Sequence, residues 1–161
     1  MEELIKVGMA DLKAARHPSK LTTLGLGSCV GIALYDKTTK IIGLAHIMLP
    51  SSKIATVVTN RAKFADTAIV DLVNDMIELG ADKKNIVAKL AGGAQMFAFS
   101  SNNEIMRIGM RNVEATRFVL AQLNIPIASE DVGGNYGRTI AISSDDGMLM
   151  VKTIGSGIKY I

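Results

Sequence analysis

The sequence predicts an α/β protein of the α+β type, with mixed, mostly antiparallel sheets and two main helices gathered on one side. Three observations lead there. Strand-like segments, about seven of them, outnumber the helical ones. Hairpin patterns stand at both ends of the chain, and the helical patterns fall only in its middle, which is not the regular strand–helix alternation of a doubly wound parallel sheet. At 161 residues, with no internal repeat and no linker-like stretch, the chain is expected to form one domain spanning 1–161.

Taken in order, residues 4–9 read as a short strand, and the polar stretch 11–20, which carries His17-Pro18, reads as a loop or a short helix plus loop. Residues 21–25 form a strand that runs into the glycine bend Gly25-Leu26-Gly27-Ser28-Cys29. Val30, Ile32 and Leu34 alternate with small residues up to Asp36. The turn-like Lys37-Thr38-Thr39-Lys40 and the apolar stretch 41–49 complete a β-hairpin. In such a hairpin position 46 returns to the start of the first strand, so His46 can lie beside Cys29.

Residues 50–61 are patternless and rich in Ser and Thr, hence a loop. Ala65, Ile69, Leu72, Val73, Met76 and Leu79 then recur at helical spacing, and Gly80 supplies the stop. A buried strand over 86–90 enters Ala91-Gly92-Gly93-Ala94, and 100–104 is a loop. A second helix covers 111–123 with Val113, Phe118, Val119 and Leu120 toward the core. A strand at 125–129, a loop at 131–137 and a hairpin of 139–143 with 148–154 close the chain.

Hydrophobic residues make up 48% and charged residues 20% of the chain, which excludes the disordered and low-complexity classes. No apolar run is long enough for a membrane helix, and Met1-Glu2-Glu3-Leu4-Ile5-Lys6 is no signal peptide, so a cytoplasmic protein is expected. The net charge of +3 gives a mild pull toward acidic partners. Basic residues are scattered and there is no Trp, which argues against nucleic acid as a partner. Met96, Met106, Met110, Met148 and Met150 read as adaptable core filler.

Cys29 is the only cysteine, so no intramolecular disulfide can form and the thiol is free to react. A lone cysteine is more commonly a small core hydrophobe. Here Gly25 and Gly27 permit a sharp bend, Ser28 keeps the approach to sulfur open, and backbone N–H groups at Gly27 and Ser28 are candidate oxyanion donors. His46, taken alone, reads as a satisfied core histidine. Beside Cys29 it becomes a candidate base, and an imidazolium there can lower the thiol pKa enough to hold a thiolate at neutral pH. Thr23, Asp131 or a backbone carbonyl could orient its ring. His17, in a polar stretch, reads as a solvated surface residue.

Other readings fall away. Two histidines and one cysteine make no metal-ligand cluster of usual spacing, so no metal and no cofactor is expected. Gly25, Gly27 and Gly31 do not match the dinucleotide spacing, and no serine-hydrolase elbow occurs. A redox sensor would want a resolving cysteine, which the chain lacks. The pairs Gly92-Gly93 and Gly133-Gly134 read as tight turns or close backbone contacts.

Six motifs, in order, resemble one family. They are Thr23-Leu24-Gly25-Leu26-Gly27-Ser28-Cys29, Ala45-His46-Ile47-Met48-Leu49-Pro50, Lys63-Phe64-Ala65-Asp66-Thr67-Ala68, Ala91-Gly92-Gly93-Ala94-Gln95-Met96-Phe97, Ile108-Gly109-Met110-Arg111-Asn112 and Glu130-Asp131-Val132-Gly133-Gly134. By these the sequence resembles CheD, the chemoreceptor glutamine deamidases of bacterial and archaeal chemotaxis. The resemblance implies an α/β/β sandwich and a cysteine hydrolase with Cys29 as nucleophile, His46 as base and Thr23 as third member. It further implies deamidation of glutamine side chains on chemoreceptors through a thioester, and an open, shallow site; since a glutamate methyl ester could be cleaved by the same chemistry, glutamate methylesterase activity is a secondary expectation. The partners it implies are methyl-accepting chemotaxis receptors as substrate and CheC, a phosphatase of phosphorylated CheY. A monomer is expected, and the alternative function is a non-catalytic regulatory module for a CheC-type phosphatase.

Overall fold

The structure is a computed structural model that describes residues 2–95 and 107–161. In chain order its first half holds β1 (Glu3–Lys6), β2 (Asp11–Ala15), β3 (Ser19–Leu26), β4 (Val30–Asp36), β5 (Ile41–Ile47) and α1 (Ala65–Glu78). The second half holds β6 (Ile86–Gly92), α2 (Ile108–Gln122), β7 (Ile127–Val132), β8 (Arg138–Ser143), β9 (Leu149–Thr153) and β10 (Gly157–Tyr160). The strands form two five-stranded sheets, ordered β1-β3-β8-β9-β10 and β2-β5-β4-β6-β7. Only β1/β3 and β6/β7 pair in parallel, so both sheets are mixed and mostly antiparallel, as expected.

Strand alternation sorts the core into two layers. Val30, Ile32 and Leu34 of β4, with Ala45 and Ile47 of β5, pack against Ile69, Leu72 and Met76 of α1 and Val113 and Leu120 of α2. Residues of the opposite parity, Ala33, Tyr35, Ile42 and Leu44, meet Leu21, Ile140, Ile142 and Val151 of the other sheet. The helices therefore cover one face of the second sheet and the first sheet covers the other: an α/β/β sandwich. Every residue of β4 and β5 is buried. Full burial of each large aliphatic side chain contributes about 1.5–3 kcal/mol, which makes this central hairpin a firm base for anything mounted on it.

The β4–β5 hairpin pairs Val30 with Ile47 through Asp36 with Ile41, matching the sequence pattern. Helix α1 likewise buries Ala65, Ile69, Leu72, Val73 and Met76, and Gly80 takes φ +117 just beyond its end.

Four expectations are corrected. Residues 11–15 are not loop or helix but edge strand β2, held by pairing with β5 from Asp11–His46 to Ala15–Ile42. Strand β7 runs on through Glu130, Asp131 and Val132, because β6 offers a parallel partner that far. Phe118 is 62% exposed: the buried stripe of α2 is Gly109, Asn112, Val113, Thr116, Val119 and Leu120, and Phe118 falls off it. Met110 and Met148 are exposed rather than core filler, on a helix flank and a turn. The predicted loop 100–104, with Met96, Phe97 and Met106, lies outside the described residues.

Candidate active site

Strand β3 belongs to one sheet and β4 to the other, so the bend between them carries Cys29 from sheet to sheet. Gly25 enters it with φ +72, a conformation residues with a Cβ avoid. Three successive carbonyls are then fixed. That of Gly27 accepts from the Ala94 amide at 2.8 Å, that of Ser28 from Asn112 Nδ2 at 2.9 Å, and that of Cys29 from the Gly93 amide at 2.8 Å. The approach of residues 92–94 is close enough that a Cβ on Gly92, φ +107, would collide with the Cys29 carbonyl. The predicted role of Gly92-Gly93 as a close backbone contact is therefore what the structure shows, and the contact is with the cysteine.

His46 pairs with Gly31 across the hairpin. Cys29 stands two residues before Gly31, so thiol and imidazole share the face that looks toward the first sheet. From that sheet comes Thr23, whose Oγ1 lies 2.7 Å from His46 Nδ1. The same hydroxyl donates to the Val7 carbonyl at 2.7 Å. A hydroxyl has one proton; with that proton on Val7, Thr23 must accept from Nδ1–H. The tautomer follows: Nε2 carries the lone pair, and this buried atom has no hydrogen-bond partner among the described residues. His46 thus presents one free basic nitrogen inside the sandwich.

Burial governs the charge states. It pushes the Cys29 thiol up from its ordinary value of 9.0, only partly offset by the residue's own amide, and pushes His46 down from 6.5. The resting pair is neutral thiol and neutral imidazole. This differs from the thiolate the sequence allowed, because desolvation outweighs any attraction and no cation bears on the sulfur among the described residues. Both side chains are buried, Cys29 at 8% and His46 at 0% exposed. The thiol does not hydrogen-bond to Nε2 in this structure.

Of the alternatives for orienting the imidazole, Asp131 is engaged elsewhere, 3.4 Å from Arg138 and 3.3 Å from Lys159. His17 is exposed at the surface, as expected, where it bonds to Ser144 Oγ at 2.8 Å. Two residues escaped sequence reasoning. Buried Arg138 reaches the Gly92 carbonyl at 3.4 Å and lies 4.4 Å from the Tyr136 ring centroid, bracing the turn behind the cysteine. Asn112 spans 2.9 Å to both the Ser28 and Met48 carbonyls. Its signal was present in the sequence: an amide in phase with Val113, Thr116, Val119 and Leu120 on the inward stripe of the helix.

Thr23→Val keeps the shape of this side chain and removes its hydroxyl. The ring then loses the group that fixes its tautomer, so kcat should fall about 10–100-fold with KM little changed, while Thr23→Ser retains most activity. Steady-state kinetics of the two variants check this.

A family described as CheD chemotactic sensory transduction matches residues 48–153. Whole-chain relatives extend the likeness over nearly the full length of the chain. A probable chemoreceptor glutamine deamidase CheD of Caldanaerobacter subterraneus subsp. tengcongensis is 57% identical over 99% of this chain and 98% of its own length. One of Lachnoclostridium phytofermentans, with the same description, is 53% identical over the full length of both chains. The chemoreceptor glutamine deamidase CheD of Halalkalibacterium halodurans is 50% identical, again over the full length of both.

Proposed function

The chain belongs to the CheD family, and we propose that it deamidates glutamine side chains of chemoreceptors with Cys29 as nucleophile, His46 as base and acid, and Thr23 as the group that holds the ring. The observation that carries the chemistry is the Thr23–His46 bond, which leaves a bare, buried Nε2 on the same face as the only cysteine. The chain is a hydrolase. No helix among its described residues is long and apolar enough to cross a membrane.

As the glutamine carboxamide enters, His46 Nε2 takes the thiol proton while sulfur bonds to the carboxamide carbon. Because both groups rest neutral, this transfer accompanies attack rather than preceding it. The carbonyl oxygen becomes an oxyanion, for which the backbone N–H groups of the bend at Gly27 and Ser28, with that of Cys29, are the proposed donors. The imidazolium returns its proton to nitrogen, ammonia leaves, and a thioester remains. Water, deprotonated by Nε2, then attacks the thioester; collapse restores the thiol and releases glutamate. A glutamate methyl ester gives the same thioester with methanol as leaving group, so methylesterase activity accompanies the deamidase. Binding of a CheC-type phosphatase, on family grounds, and a monomeric state complete the proposal, and size-exclusion chromatography with and without such a phosphatase tests both.

The assay is incubation with a receptor cytoplasmic fragment and mass spectrometry of its glutamines. Wild-type protein should convert specific glutamines to glutamate; an unchanged fragment would defeat the assignment.

The pH dependence has a definite sign. His46 must be neutral to act, and its lowered pKa carries the acid limb of kcat/KM below 6.5. For stability, the unfolded histidine takes up its proton first as pH falls past 6.5, so folding weakens on that side. The unfolded thiol ionises first as pH rises past 9.0, so folding weakens there as well. Thermal midpoints against pH should show the acid slope flattened in His46→Gln and the alkaline slope flattened in Cys29→Ala.

A further inference from the structure

Asn112 joins the two halves of the site. It sits in the first turns of α2, fully buried, and its Nδ2 donates to the carbonyl of Ser28 and to that of Met48, at 2.9 Å each. Ser28 precedes the nucleophile; Met48 lies two residues past the base. Both acceptors are carbonyl oxygens, so the NH2 and not the Oδ1 must face them, and the orientation of the amide is settled by its partners. The Oδ1 is left with no partner among the described residues, so the two donors, not general polarity, are what the position uses.

The Ser28 carbonyl belongs to the same planar peptide unit as the Cys29 amide. In a trans peptide the C=O and N–H point opposite ways, so holding one aims the other. The Asn112 bond turns the Cys29 N–H away from α2. The Ala94 amide on the Gly27 carbonyl likewise turns the Ser28 N–H away from residue 94. Neither the Ser28 nor the Cys29 amide donates to a backbone carbonyl among the described residues.

We propose that Asn112 is a positioning residue that aims the Cys29 amide at the oxyanion and locks the nucleophile bend to the strand carrying the base. The inference rests on the deamidase reading above. It predicts that Asn112 acts on formation of the tetrahedral intermediate and not on the intrinsic reactivity of the thiol. Alkylation by iodoacetamide, a displacement with no oxyanion, separates the two.

The test uses full-length protein with Asn112→Ala and with Asn112→Asp, which keeps the size but turns an acceptor toward the two carbonyls. Each is assayed for deamidation of a receptor cytoplasmic fragment and for the rate of Cys29 alkylation against pH. The expected result is a kcat about 10–100-fold lower, KM within about twofold, and an alkylation profile that overlies the wild type. Unchanged kcat overturns the proposal, as does a parallel fall in kcat and alkylation rate, which marks a merely structural role. Should neither variant fold, wild-type protein decides. On addition of an aldehyde analogue of glutamine, the Ser28 and Cys29 amide proton resonances should shift while the Asn112 NH2 stays protected from exchange. Unmoved resonances, or an Asn112 NH2 that exchanges freely, overturn it. Inactive wild-type protein, or activity that survives in Cys29→Ala, would count against the deamidase mechanism itself; full activity in the Asn112 variants of a Cys29-dependent enzyme counts against Asn112 alone.

Discussion

Cys29→Ala should lower the rate of glutamine-to-glutamate conversion by at least about 1,000-fold while leaving the protein folded. The sulfur is the only thiol in the chain and is fixed by its backbone: the carbonyls on both sides of it are held by Asn112 and Gly93. Alanine retains the β-carbon and every one of those bonds. What it removes is one sulfur atom of the buried cluster that also holds Leu26 and Ala91, a change of about 1 kcal/mol in stability. A mass-spectrometric time course on the receptor fragment, paired with a thermal melt, reads both quantities. Loss of activity with loss of fold would not meet the prediction; loss of activity alone does.

His46→Gln should cost about 100–10,000-fold in kcat and, more tellingly, change the shape of the pH profile. In the proposed mechanism the neutral imidazole removes the thiol proton as attack occurs. Without it the enzyme depends on whatever thiolate exists, and burial raises the Cys29 pKa above 9.0, so little is present near neutrality. The residual rate should therefore climb with pH, with a slope of about one on logarithmic axes, up to that raised pKa. The acid limb below 6.5, which belongs to His46, should vanish. A His46→Gln profile that keeps the wild-type shape would mean that another group is the base.

The parts of the fold that were legible in the sequence are those whose burial is two-sided or strictly periodic. The β4–β5 hairpin shows as nearly continuous apolar sequence about a polar turn, and α1 as an unbroken helical stripe ended by glycine. Because hairpin register follows from those strands, the meeting of His46 with the start of β4 is legible in the chain itself. Strands β2 and β10 are not. Asp11-Leu12-Lys13-Ala14-Ala15 carries little apolar alternation, and Gly157–Tyr160 is exposed throughout; both are edge strands that exist because a neighbour offers hydrogen bonds. Phe118 misled for a related reason: its hydrophobicity suggested burial, but the phase of α2 is set by the polar Asn112 and Thr116 facing inward.

The site divides the same way. The hairpin register that puts Cys29 and His46 on one face is local and legible. Thr23 competed on equal terms with Asp131 and a backbone carbonyl, since the choice depends on which residue of the opposite sheet lies over the imidazole. That is fixed by the packing of two sheets, which no periodicity along the chain encodes. Charge state was also hidden: a Cys–His pair reads as an ion pair until its burial is known.

The whole mechanism turns on a thioester at Cys29, and hydroxylamine partitioning detects it. With wild-type protein, a receptor fragment and rising hydroxylamine, the fragment's reactive glutamine should yield glutamyl hydroxamate at the expense of glutamate, and Cys29→Ala should yield neither. Formation of glutamate alone at every hydroxylamine concentration, with ammonia release undiminished, would contradict the covalent route and return Cys29 to the role of a buried core residue.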